Sequence, residues 1–130
     1  MSSWYPVPDN PTHGIFVKRH AQAVSLLNDV CVLYCVGVNE ENKKNIINKN
    51  AHFTEYIYFY DKRKKSALAK YKVLEKLYDA GFNKIQSDWG KPDVIQLNII
   101  FPVGIFVERI ARKNKIPYVC LLYTSDAADE

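Results

Sequence analysis

The stretch Lys91–Val119, KPDVIQLNIIFPVGIFVERIARKNKIPYV, reads as strand, turn, helix, turn, strand. Residues 93–100 form an apolar run rich in β-branched side chains, broken by Gln96 and Asn98, which fits a strand buried on both faces. Pro102 and Gly104 punctuate the run, and a proline in a first helical turn loses no hydrogen bond. Val103, Phe106, Val107, Ile110 and Ala111 then recur at helical spacing, with Glu108, Arg109, Arg112 and Lys113 on the opposite face. Basic residues in the last turn suit the helix C-terminus, and Asn114 is the expected left-handed cap. Pro117 bars continuation, and Tyr118 and Val119 open the next strand. A strand–helix–strand unit of this kind implies a parallel sheet.

Outward from this unit, the other segments follow the same alternation. Residues 7–14 are a loop of turn formers, and 14–27 (GIFVKRHAQAVSLL) read as a helix with Phe16, His20, Ala23, Val24 and Leu27 on one face. Residues 30–38 are a near-continuous apolar strand, 39–50 a polar surface loop, and 53–60 a second strand. Residues 61–80 read as a helix with Ala67, Tyr71, Leu74, Leu77 and Tyr78 inward, and Gly81 is its expected C-cap. Strands separated by helices predict an α/β sheet with helices on both faces, whose ligands sit at the carboxyl ends of the strands.

With 130 residues, 48% apolar and 25% charged, the chain holds one ordinary globular core. No apolar run reaches the roughly 18 residues that span a bilayer, and the N-terminal MSSWYPVPDN lacks the basic and apolar regions of a signal peptide. A cytoplasmic location, peripheral to the inner face of the membrane, is the expectation. Cys31, Cys35 and Cys120 have no metal-ligand spacing and read as buried reduced thiols; no metal and no cofactor are expected. The net charge of +4 is concentrated in Lys43-Lys44 and Lys62-Arg63-Lys64-Lys65, with Lys70 and Lys72 beyond. Such runs are solvated faces or contacts for an anionic membrane surface; no nucleic-acid motif accompanies them, and no nucleic-acid partner is expected.

Two stretches, SSWYP…NPTHGIFVKRHAQAVSL and KPDVIQLNIIFPVGIFVERIARKNKIPYV, resemble the N-terminal, acceptor-side domain of family 4 glycosyltransferases. The resemblance covers roughly residues 2–119 and implies a Rossmann-like three-layer α/β domain with a mostly parallel sheet, the N-terminal half of a GT-B fold. It implies a retaining enzyme that moves a sugar from a nucleotide-sugar donor to a glycan or lipid-linked acceptor without a metal. Under it, Gly14 is the first-loop glycine whose backbone approaches the donor phosphate. His13, Arg19, Gln96, Asn98 and Gly104 are the cleft candidates; no catalytic residue is assigned. Gln96 and Asn98 stand where relatives have histidines, and neither titrates, so acid–base chemistry is not expected of them.

The sequence departs from that pattern at both ends. The resemblance places apolar residues before Ser2, where this sequence has Met1, so a truncated first strand is expected. Residues 120–130, CLLYTSDAADE, break the pattern and resemble translated adapter sequence, which sets domain bounds of 1–119 with a non-native tail at 120–130. The expected activity belongs to a fragment that is inactive alone. The competing reading is a non-enzymatic α/β domain with a basic membrane- or nucleotide-binding surface.

Overall fold

The Lys91–Val119 unit folds as strand, helix and strand: β4 spans Ile95–Asn98, α3 Val103–Asn114 and β5 Tyr118–Leu121, with β4 and β5 parallel and Leu97 opposite Cys120. The computed structural model describes residues 1, 5–8, 10–98 and 103–121. The predicted strand at 93–100 is therefore described only to Asn98. The described residues form a small α/β domain of three helices, a mixed three-stranded sheet and a two-stranded parallel sheet. In the first sheet β1 (Val30–Val38) lies parallel to β3 (Phe53–Asp61), and β2 (Ile46–Lys49) pairs antiparallel along the other edge of β3. A single, mostly parallel sheet was expected; the antiparallel β2 corrects that in part, and the described strands fall into two sheets.

Side-chain alternation along β1 and β3 sends residues to two cores. Val32, Tyr34, Ile57 and Phe59 share a cluster with Val17 of α1 (Ile15–Val24). Leu33, Cys35, Tyr56 and Tyr58 face the opposite way, into a cluster with α2 (Ala67–Trp89), α3 and β4. Helices therefore cover both faces, as the alternation of segments implied. Met1 joins the second cluster. Its amino group donates to the Gln96 carbonyl at 2.9 Å, and the Asn98 N–H donates to the Met1 carbonyl at 3.0 Å, the pattern of a parallel pair along the edge of β4 opposite β5.

The α3 stripe is as read: Val103, Phe106, Val107, Ile110 and Ala111 are all buried. The Phe106 ring stacks on Tyr78 of α2, centroids 5.4 Å apart, and tilts against Tyr71 at 5.2 Å. The left-handed residue after α3 is Lys115 (φ 55°), not Asn114. Asn114 stays helical, and its Nδ2 donates to the Ile110 carbonyl. The Ile116 N–H reaches the Ala111 carbonyl at 2.9 Å and Lys115 N–H the Arg112 carbonyl at 3.4 Å, the two bonds of a Schellman closure with Ile116 returned to the core.

Other boundaries differ from the sequence reading as well. The helix expected over 61–80 runs instead from Ala67 to Trp89, capped by the Ser66 hydroxyl, which accepts from Ala69 N–H, and closed at Gly90 (φ 86°). Gly81 is not a cap: a Cβ there would lie 2.5 Å from Leu33 Cδ1, so glycine lets α2 approach β1. The lysine-rich loop at 39–50 contains β2, because Ile46 finds an apolar face opposite Ile57. In α1 the inward residues are Val17 and Ala21, while Phe16, Ala23 and Leu27 are exposed. The helix ends at Val24, so Leu26 and Leu27 fall in the turn beyond it. β5 continues through Cys120 and Leu121, so the boundary drawn after Val119 falls within a strand. The tail at 122–130 lies outside the described residues.

Candidate functional site

The first loop makes a cavity. Residues 5–8 and 10–14 lie over one face of the three-stranded sheet before α1 begins. Prolines at 6, 8 and 11 fix φ and hold the loop away from regular pairing, apart from a local Val7–Asn10 bridge. Gly14 ends the loop in the left-handed region (φ 67°, ψ 24°), where a side chain would be strained, and turns the chain into α1. Under this loop lies a cavity of about 330 Å³. Its outer wall is Pro6, Val7, Pro8 and Pro11, with Ile15 and Lys18 from the first turns of α1. Its floor is two cross-strand pairs, Asn48 opposite Glu55 and Ile46 opposite Ile57.

Glu55 sits centrally on β3 with only 4% of its surface exposed. A carboxylate so far from water needs partners. The Tyr5 hydroxyl donates to Oε2 in a short hydrogen bond, and Lys18 Nζ lies 3.5 Å from the same oxygen. Both contacts fall on Oε2, and Glu55 is itself one of the residues that line the cavity. Burial, reinforced by the Glu55 hydrogen bond, pushes the Tyr5 hydroxyl far above its ordinary pKa, so Tyr5 remains a donor at any physiological pH. Its fully buried ring packs against Tyr34, centroids 6.0 Å apart. Tyr5 is thus a packing residue; Trp4 beside it lies outside the described residues.

The residues singled out from sequence lie around this cavity or elsewhere, and none of the six lines it. Gly14 is buried at the loop's end, His13 beside it is half-buried, and Arg19 is exposed on α1. Two amides of the first turn of α1 are taken by turn carbonyls: Ile15 N–H by Thr12 at 3.3 Å and Val17 N–H by Gly14 at 3.0 Å. Gln96 and Asn98 project from the same face of β4, and Gln96 Nε2 donates to Asn98 Oδ1 at 3.1 Å. Asn98 is buried, and Gly104 is half-buried in the first turn of α3. The loop between them, 99–102, lies outside the described residues.

Glu55, Lys18 and Asn48 were missed. The available signal was Glu55 itself, a charge in the middle of the aromatic strand FTEYIYFY, where a lone carboxylate on an inward face demands a partner. Its partners come from positions 50 and 37 residues away in the chain, so only folding identifies them.

The thiols differ from one another. Cys35 is buried, Cys31 half-buried and Cys120 exposed, which corrects the expectation of three buried thiols. Burial pushes the Cys31 thiol up to about 11 and that of Cys35 further up, so neither is a nucleophile at neutral pH. In the basic run after β3, Arg63 grips Asp61 through two bonds of 3.0 Å; Lys43, in the loop before β2, lies 4.8 Å over the Phe59 ring. Among the described residues no three His, Cys, Asp or Glu side chains gather closely enough to hold a metal, and no helix is long and apolar enough to cross a membrane. Compared with protein-family models, curated proteins and solved structures, the chain has no match.

Proposed function

We propose that this chain is the acceptor-side domain of a two-domain glycosyltransferase similar to family 4, taking a nucleotide-sugar donor and a glycan or lipid-linked acceptor. The two sequence stretches that resemble that family suggest the reading. The structural observation that carries it furthest is the position of Met1. Hydrogen-bonded in parallel along β4 and packed in a core shared with β1 and β3, Met1 marks where the two sheets would join through a central strand. A doubly wound Rossmann-like sheet has its first strand at that place, and its ligand crevice lies beyond the carboxyl ends of the strands. In this reading the first loop with Gly14 and His13, and the end of β4 with Asn98, form the acceptor wall of the cleft, and Gly14 supports the donor phosphate by close backbone approach.

Transfer requires donor, acceptor and charge-stabilising groups held together, and positioning supplies most of the rate. One wall does not hold that constellation. The 130-residue chain is expected to release no nucleoside diphosphate from any nucleotide sugar, while the gene expressed with its genomic flanks does so in the presence of a polyprenyl-phosphate or oligosaccharide acceptor. Turnover by the chain alone would remove the two-domain argument, and a silent flanked gene would remove the glycosyltransferase reading. The basic α/β binding module is the second reading. It gains support if the chain binds anionic vesicles in a salt-sensitive way and the flanked gene transfers no sugar.

A further inference from the structure

We infer that the cavity beneath the first loop is a binding subsite for a neutral polyhydroxyl ligand of monosaccharide size, with Glu55 as its principal hydrogen-bond acceptor. This supplies the acceptor-side reading with a sugar-binding place, and it rests on that reading only for what the sugar is attached to.

The argument starts from the cost of Glu55. A carboxylate held in the middle of an aromatic strand, with 4% of its surface exposed, is expensive to bury, and an apolar residue there would pack at no such cost. Tyr5 and Lys18 satisfy one of its oxygens. Glu55 also lines a cavity of about 330 Å³, at the small end of the range for ligand pockets and matched to one sugar ring rather than to an oligosaccharide or a lipid chain.

Charge decides the ligand class. Lys18 Nζ, 3.5 Å from Oε2, offsets the carboxylate, so the site as a whole is close to neutral. Phosphate would meet the inward carboxylate, which repels it. A free amine would compete with a lysine already in place. A neutral hydroxyl loses nothing to either charge: it donates to the Glu55 carboxylate, and a neighbouring hydroxyl accepts from Lys18 or from Asn48, which stands directly opposite Glu55 on β2. Adjacent donor and acceptor hydroxyls are what a pyranose ring presents. The rest of the lining suits the ring's C–H surface: Pro6, Pro8 and Pro11 above, Ile15, Ile46 and Ile57 around it. The prolines limit the loop's freedom before binding, so less ordering is lost when a ligand enters.

The probes are the methyl glycosides of glucose, galactose and mannose, titrated into isotopically labelled chain and followed by amide chemical shifts. At least one glycoside is expected to shift the amides of Ile15, Lys18, Ile46 and Ile57, with a millimolar dissociation constant fitting so few contacts. Glu55→Gln is expected to weaken binding about tenfold, the loss of a charged acceptor. Asn48→Ala, on an exposed edge strand, keeps the fold whatever Glu55→Gln does and is expected to weaken binding severalfold. Inorganic phosphate and ethanolamine should shift none of these amides. The inference is overturned if no glycoside shifts them at about 100 mM, if Asn48→Ala leaves the affinity unchanged, or if phosphate or ethanolamine binds there instead. Glycoside binding with a silent flanked gene would overturn the transferase reading and leave the subsite standing. Sugar transfer by the flanked gene without glycoside binding to the cavity would do the reverse.

Discussion

Single residues show where this fold carries cost. Thr54 is fully buried on β3, and its hydroxyl has no hydrogen-bond partner, the only such side-chain atom among the described residues. A buried unsatisfied hydroxyl costs roughly 1–3 kcal/mol, and valine has nearly the same shape. Thr54→Val is therefore expected to raise stability by about 1 kcal/mol, read as a higher urea midpoint at unchanged slope; an unchanged or lower midpoint would show that the hydroxyl is satisfied in solution. Met1 carries a second cost. Burial pulls its amino group from 8.0 down to about 6. Between those values the unfolded chain binds a proton that the folded chain refuses, so stability rises with pH across this window and is lost as pH falls through it. The two-unit shift corresponds to roughly 2–3 kcal/mol. Acetylating Met1 removes the charge while keeping one N–H for the Gln96 carbonyl, and should flatten the dependence between pH 8.0 and about 6. Equal slopes for the free and acetylated chains would place the titrating group elsewhere.

Among the elements, α3 shows which interactions decide packing. It is tied to α2 in two ways: Arg109 makes a two-pronged pair with Asp79 at 2.9 and 3.1 Å, and Phe106 stacks on Tyr78 and tilts against Tyr71. The ion pair is well formed but one-third to two-fifths exposed, and such pairs contribute at most about 1 kcal/mol. Phe106 is 0% exposed, and truncating a buried phenylalanine costs about 3–5 kcal/mol. The expected order in urea unfolding is a small loss for Arg109→Ala and a severe one for Phe106→Ala. Comparable losses would mean that the helix pair is held electrostatically. This dominance of burial explains why the α3 stripe was readable from sequence while α1 was misassigned. Five inward residues at regular spacing specify one face of α3. In α1 the apolar side chains are spread around a ten-residue helix, and the sheet alone selects Val17 and Ala21.

At the scale of the whole molecule, one cluster of buried side chains runs through β1, β3, α2, β4 and α3. The two sheets therefore share a core without sharing a ladder among the described strands. Loss of either sheet exposes the other's inner face, so both should unfold in one transition: amide exchange in β3 and β4 reporting the same opening free energy, against distinctly lower protection in β4 if the sheets were independent. From sequence alone came the α/β class, the β4–α3–β5 unit, its parallel pairing and the helices on two faces. These rest on local periodicity and on turn residues, whose effects act within a few positions of the chain. Tertiary structure decided the rest. Gly81 became a contact point because Leu33 stands against it, β2 formed in a polar stretch because β3 offered an edge, and Lys115 took the left-handed turn because Ile116 had to return to the core. The Tyr5–Glu55–Lys18 cluster belongs to the same class. Its members are separated by up to 50 residues, and a buried carboxylate acquires its partners, and the cavity it faces, only when the first loop closes over the sheet.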